Sequence, residues 1–442
     1  MKQLTVQGVS GLRGKIGLPG DKSISHRAVI FGALARGKTI IRNFPFNEDC
    51  LATISALRKL GVRIRSRAKD EIEVYGKGLF GLTAAKEAIL IKESGTTFRL
   101  LLGLLAGQGF STKLVAGKSL SKRPMRRVTE PLRMMGGTFD SRLKIKDSKP
   151  DEFPPISIKG AKLKAIAYKV PVASAQVKSA ILLAGLYAKG KTKIIEPLST
   201  RDHTERMLEL FKSDIKARRG SVVVSGLKEL TSPGKIDIPG DISSAAFFMV
   251  ACSIVPNSKI TIKNLSLNPS RTGVITVLKR MGARIQIKNS KANRLGLEPV
   301  GDIVARSSLL KATTVRKNEI PFLIDELPVL MVAASLAKGR TLFKGVQELR
   351  VKETDRIRSM SEGLKKMGVK ISVRRSGSSR DIAVDGVKQL TGARVRSFGD
   401  HRTAMSMVVA GMAASGKTVI DDVSCINKSF PGFLKINKFL SR

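Results

Sequence analysis

Cations, hydroxyls and amides recur in this chain at the starts of apolar runs. The stretch Leu18–Arg27 reads LPGDKSISHR and leads into AVIFGALA. Pro-Gly is a turn and Asp21 or Ser23 an N-cap, so the pattern predicts a helix start here. A helix start offers unpaired N–H groups and a partial positive charge. Lys22 and Arg27 add two full cations, which suits a phosphate or a carboxylate. Taken alone, the stretch reads more readily as an ordinary capped helix with solvated charges. The pattern then repeats with Ser94, Gly95, Thr96 and Arg99; Ser174, Gln176 and Lys178; Ser243 and Ser244; Asp325 and Glu326; and Asp400, His401 and Arg402. In ELRVKETDRI, Lys352, Glu353, Asp355 and Arg356 crowd a strand-to-helix junction, and Lys428 precedes a Pro-Gly turn. Asp325 and Glu353 are the acid/base candidates, because fixed cations and bound anions can tune a carboxylate in either direction.

The other chemistries lack their residues. There is no HExxH, Cys/His cluster or GxSxG, so no metal or serine-nucleophile motif is present. No cofactor and no metal are expected. Cys50, Cys252 and Cys425 are odd in number and far apart, which fits a reducing cytoplasm better than a disulfide framework. The N-terminus has no apolar signal region and no run of membrane-spanning length follows, so a cytoplasmic protein is expected. The formal net charge is +45, from 80 Lys and Arg against 35 Asp and Glu. The cations are dispersed, and with no Trp and three Tyr base stacking is poorly supported. Salt-sensitive adhesion to polyanions is expected, with no specific nucleic-acid partner and no membrane partner.

These residues must be held by a repeated element. Turn, apolar helix, Gly turn and β-branched strand occur six times, beginning near Pro19, Glu93, Ala173, Pro239, Ile324 and Gly399. A second helix ending in a Gly turn follows, as in LRKLGVRI at Leu57, LRMMGGTFD at Leu132, LKRMGARIQI at Leu278 and LKKMGVKISV at Leu364. The third copy, MLELFKSDIKA at Met207, is degenerate, and the sixth is cut short. The first helices are apolar all round, so they are predicted to be buried with sheets outside. The expected fold is α/β: a two-domain inside-out barrel, each domain three βαβαββ repeats. PGD at Pro19 and at Pro239 marks equivalent points. One domain is then 1–20 with 240–442 and the other 21–239, with the ligand site expected in the cleft between them.

The chain resembles the 5-enolpyruvylshikimate-3-phosphate (EPSP) synthase family over nearly its whole length. The resemblance rests on PGDKSISHRA, SGTTFRLL, SKRPM, SAQVKSA, STRDHTERML, IDELP, VKETDRI, GDHRTAM and NKSFPGF, in that order. It implies transfer of the enolpyruvyl group of phosphoenolpyruvate to the 5-hydroxyl of shikimate 3-phosphate, in a monomer acting on small molecules. It implies contacts to shikimate 3-phosphate from Lys22, Ser23, Arg27, Ser174, Ala175, Gln176, Ser199, Asp325 and Lys352. Phosphoenolpyruvate would meet Lys22, Gly95, Arg123, Gln176, Arg356, Arg402 and Lys428. Asp325 would be the base for the 5-hydroxyl, and Glu353 would handle the methylene proton with Lys22 assisting. Gly95 leaves room for glyphosate, so sensitivity to it is expected. Three positions depart from the family pattern: Glu93 and Glu348 stand where Asn is usual, and Ala175 where a Ser is often seen. A carboxylate beside an anion is unfavourable unless paired, so both glutamates bear on substrate affinity and not on the class of reaction. Two alternatives stand beside this reading. The sister UDP-N-acetylglucosamine enolpyruvyl transferases have Lys-Asn at the first motif and usually a loop cysteine, which KRPMRR lacks. The other is a non-catalytic polyanion binder of the same fold.

Overall fold

In the computed structural model, residues 2–146, 149–218, 220–291, 298–377 and 379–441 are described. The chain divides into two compact units. One comprises Gly20–Ile238 with Asn293–Glu298, and the other Met1–Pro19, Pro239–Ala292 and Pro299–Arg442.

The first unit carries helices α1 (Lys22–Leu34), α2 (Glu48–Lys59), α3 (Gly95–Ala106), α4 (Arg126–Met134), α5 (Ala175–Gly185) and α6 (His203–Leu210). The second carries α7 (Ile242–Ile254), α8 (Gly273–Arg280), α9 (Leu327–Ser335), α10 (Arg356–Lys366), α11 (His401–Met412) and α12 (Phe433–Leu440). The odd-numbered helices are the apolar ones, and they are buried almost to their ends. In α7 every residue from Ile242 to Ser253 is buried, and in α11 every residue from His401 to Met412. A helix without a polar face has nothing to offer water, so it is enclosed. The even-numbered helices are amphipathic; α2 and α10 bury one side and end in basic residues that favour the negative helix end. Each unit has its own continuous hydrophobic core.

Sheets accompany the buried helices. In the first unit, Lys235–Asp237, Lys38–Arg42, Glu71–Tyr75 and Arg63–Ala68 pair in that order, and two further four-stranded sheets repeat the arrangement. The second unit has two four-stranded sheets and one of three strands. Sheet residues alternate between core and solvent, as Lys191–Ile195 shows with Thr192 and Ile194 buried. Helices α3 and α5 approach so closely that a Cβ on Gly103 would lie 2.1 Å from the Ala180 carbonyl oxygen.

The second-helix turn explains the degenerate third copy. Past α2, α4, α8 and α10, Gly61, Gly136, Gly282 and Gly368 have φ between 85° and 107°. At the matching position past α6 stands Lys212, with φ 60°. The turn survives, with a left-handed residue that has a Cβ. Among the described residues no helix is long and apolar enough to cross a membrane.

Candidate active site

In the first unit, local capping sets three helix starts. The Asp21 carboxylate accepts from the Ile24 N–H at 3.0 Å, resolving the choice of cap for α1. Ser94 caps α3 through the Thr97 N–H at 3.3 Å, and Ser174 caps α5 through the Val177 N–H at 3.4 Å. Side chains then lace the three starts together. Arg99 on α3 donates to the Gln176 amide oxygen on α5 at 2.5 Å, and Gln176 donates to the Thr96 hydroxyl at 3.0 Å. Arg27 on α1 donates to Thr204 and Ser179 at 2.7 Å each and to the Ser23 carbonyl at 2.9 Å. A guanidinium presents several donors in a fixed fork, which suits an anion.

Gly95 is the first residue of α3. A Cβ on it would lie 2.7 Å from an Arg123 guanidinium nitrogen and 3.2 Å from one of Arg99. Two arginines therefore stand at the positive end of this helix. Lys22 sits at the start of α1, 2.8 Å from the Asp49 carboxylate. Ala175 opens α5, and its carbonyl accepts from Ser179 at 2.6 Å. Ser199 lies on an exposed loop before α6 and makes no hydrogen bond among the described residues.

In the second unit, the carboxylate of Asp325 meets three cations: Arg356 at 3.5 Å, Lys352 at 3.8 Å and Arg402 at 3.9 Å. Arg402 also donates to the Asp325 carbonyl at 2.9 Å, which ties the start of α11 to the approach to α9. Arg356 is 1% exposed. It donates to Asp400 at 2.8 Å and to Glu353, while its remaining terminal nitrogen has no hydrogen-bond acceptor. Burial works against the Arg356 charge, but Asp400 and Glu353 outweigh it and hold the group protonated more firmly than usual. Burial likewise works to raise Asp400, yet Arg356 pulls its carboxyl below the usual range. Asp400 also caps α11 through the Arg402 N–H at 2.8 Å. Lys428 donates to the Gly399 carbonyl at 3.2 Å, beside the same helix start. Asp325, Lys352, Glu353, Arg356, Arg402 and Lys428 thus gather around the starts of α9 and α11. The segment before Lys352 is a 3-10 turn, Gln347–Val351, rather than the expected strand end.

A family model described as EPSP synthase (3-phosphoshikimate 1-carboxyvinyltransferase) matches residues 6–436. The chain belongs to the EPSP synthase family. A 3-phosphoshikimate 1-carboxyvinyltransferase of Desulforamulus reducens is 46% identical over 99% of both chains. One of Desulforudis audaxviator is 47% identical over 97% of both. A solved EPSP synthase structure from Acinetobacter baumannii matches with a TM-score of 0.85 at 40% identity, covering 100% of this chain and 98% of that one. The mixed α/β fold read from the sequence is the fold of this EPSP synthase family.

Several charged positions differ from the sequence reading. Lys178, expected at an anion-facing helix start, is buried between Glu196 at 2.9 Å and Glu205 at 2.6 Å. Ser243 and Glu326 are likewise engaged: both meet the buried Arg271, which the sequence did not flag. Glu93 does not stand as an uncompensated charge. Its two carboxylate oxygens accept from the Ser119 N–H at 3.2 Å and the Leu120 N–H at 2.8 Å. That grip fixes the turn leading to Arg123. Arg99 is a further candidate; it stood among the helix-start residues, and its contact with Gln176 is what singles it out.

Proposed function

We propose that this chain catalyses transfer of the enolpyruvyl group of phosphoenolpyruvate to the 5-hydroxyl of shikimate 3-phosphate, with release of phosphate. The observation that carries the reading at residue level is the half-buried Asp325 carboxylate set among Lys352, Arg356 and Arg402 within 4.0 Å. Identity near 46% across almost the full length to 3-phosphoshikimate 1-carboxyvinyltransferases supports the same substrates.

The steps balance without redox chemistry. A proton added to the phosphoenolpyruvate methylene, by Glu353 or Lys22, leaves a cationic carbon. The 5-hydroxyl oxygen bonds to it as Asp325 accepts the hydroxyl proton, giving a tetrahedral ketal. Loss of a methyl proton then re-forms the double bond as the C–O bond to phosphate breaks. Arg123, Arg356, Arg402 and Lys428 hold the phosphoenolpyruvate anion, and Lys22 and Gln176 share in it. Lys22, Ser23, Arg27, Ser174, Ala175, Gln176, Ser199 and Lys352 hold shikimate 3-phosphate. Bidentate arginines suit carboxylate and phosphate alike, and fixed donors stabilise the charge that develops on the leaving group. The reaction requires both residue sets to reach one pair of reactants. We further place the enzyme in the cytoplasm as a monomer; its three buried, unbridged cysteines fit a reducing compartment.

Phosphate release with both substrates tests the reading. Asp325→Ala should slow turnover by about 10²–10⁴-fold, the usual range for a general base. Arg123→Ala should cost about 2–4 kcal/mol of transition-state stabilisation. Turnover with a UDP-sugar acceptor in place of shikimate 3-phosphate, or an Asp325→Ala enzyme at full rate, would sink the assignment.

A further inference from the structure

One sheet face carries an unbroken line of cations. In the second unit, Arg284–Lys291, Val300–Arg306, Lys259–Ser266 and Arg13–Gly17 form a four-stranded sheet in that order. Its register sets Arg284 opposite Arg306, Arg306 opposite Lys259, and Lys259 opposite Arg13. These four cations make a line across the sheet, and all are exposed. At about 4.8 Å between strands the line spans about 14 Å. None of the four has an ion-pair partner among the described residues. The next outward row is Gln286, Val304, Thr261 and Lys15, again without a carboxylate. Asp302, beyond it, is held by Lys263 and Asn289.

The other sheets place their charges differently. Arg42 faces Glu71, and Arg340 faces Asp385. Lys113, Ser157 and Asp140 share a row, as do Ala167, Lys193, Val223 and Lys216. Among the described residues only one row is cationic in all four strands. Like charges directly opposite one another destabilise a sheet, so a line of four is favourable only with an anionic partner against it.

We propose that this face binds the sugar-phosphate backbone of a nucleic acid without reading its bases. A single straight line suits a linear polyanion, whose strand carries a charge about every 3.4 Å. An anionic membrane would call for a broad patch with several apolar anchors, whereas Leu309, exposed next to Ser308 at the Arg284 end of the line, is a single one. No aromatic side chain stands in either row, so base stacking has no platform. None of the four is among the residues assigned to the substrates, and activity serves as the control for folding.

The test is fluorescence anisotropy with a single-stranded oligonucleotide of about 20 nucleotides across a salt series from about 50 mM upward. One variant carries Arg13→Gln, Lys259→Gln, Arg284→Gln and Arg306→Gln. A second loses the same charge elsewhere, through Lys169→Gln, Lys193→Gln, Lys216→Gln and Arg218→Gln. Both should release phosphate at the parent rate. The parent should bind, and the first variant should lose about 2–3 from the slope of log affinity against log salt, at about 0.7 per phosphate contact. The second variant should stay near the parent slope. Equal losses in the two variants would assign binding to bulk charge and overturn the proposal. So would absence of oligonucleotide binding at the lowest salt, or row-dependent binding to anionic vesicles alone.

Discussion

Glu93 holds the Ser119 and Leu120 N–H groups, so its removal leaves two donors at the foot of the turn that carries Arg123. We expect Glu93→Ala to raise the KM for phosphoenolpyruvate more than it lowers kcat, at a cost of about 1–3 kcal/mol. A fall confined to kcat, with both KM values unchanged, would point to partial unfolding instead. Gly95 tests the neighbouring contact. A Cβ there collides with Arg123, so Gly95→Ala should weaken phosphoenolpyruvate and reduce the glyphosate inhibition expected of the parent, in steady-state inhibition assays. His26 is the residue whose pH behaviour the structure determines. It is buried, and burial together with Lys22 and Arg27 pushes its pKa well below the ordinary 6.5. Its Nδ1 bonds the Thr53 hydroxyl at 2.7 Å and its Nε2 has no partner. The unfolded chain therefore binds this proton more readily than the folded one, and stability falls as pH drops below about 6.5. His26→Asn should flatten the decline in Tm between about pH 7 and pH 5. Parallel Tm curves for parent and variant would count against it.

At the scale of elements, two features carry a cost that substitution can expose. Lys178 on α5 ties Glu196 and Glu205 together away from water. Burial raises the Glu205 pKa, and Lys178 opposes that rise. Lys178→Met would strand two carboxylates and destabilise the fold by about 3–5 kcal/mol. Adding Glu196→Gln and Glu205→Gln should recover most of that loss in denaturant melts. Lys212 is the second feature. It occupies the left-handed position that glycine fills in four sister turns. Lys212→Gly should stabilise the fold by roughly 1 kcal/mol, since a left-handed residue with a Cβ costs about 1–2 kcal/mol. An unchanged melting midpoint would show that the neighbouring structure absorbs the strain.

Over the whole molecule, the two units keep separate cores, and each laces three buried helix starts with its own hydrogen bonds. Gly20–Ile238 is therefore expected to unfold cooperatively when expressed alone, as followed by circular dichroism. It should release no phosphate, because Asp325, Lys352, Arg356 and Arg402 lie in the other unit. A fragment that melts without a transition would show that the first core depends on the second.

Apolar runs, caps and Gly turns are local, and the sequence alone sufficed for them. The buried helices, the six repeats and the clustering of polar residues at helix starts follow from contacts a few residues apart. The family motifs were equally legible, because each is a short run. Ion pairing was not legible. Arg356 finds Asp400 across 44 residues, Arg271 finds Asp241 and Glu326, and Lys178 finds Glu196 across 18. Glu93 looked like an unpaired charge until the chain folded two backbone N–H groups against it. The line of four cations likewise joins Arg13 to residues more than 200 positions away. Charge interactions weaken with distance and depend on burial. Only the tertiary structure sets both, and so it decided which charges are spent on the fold and which are left for ligands.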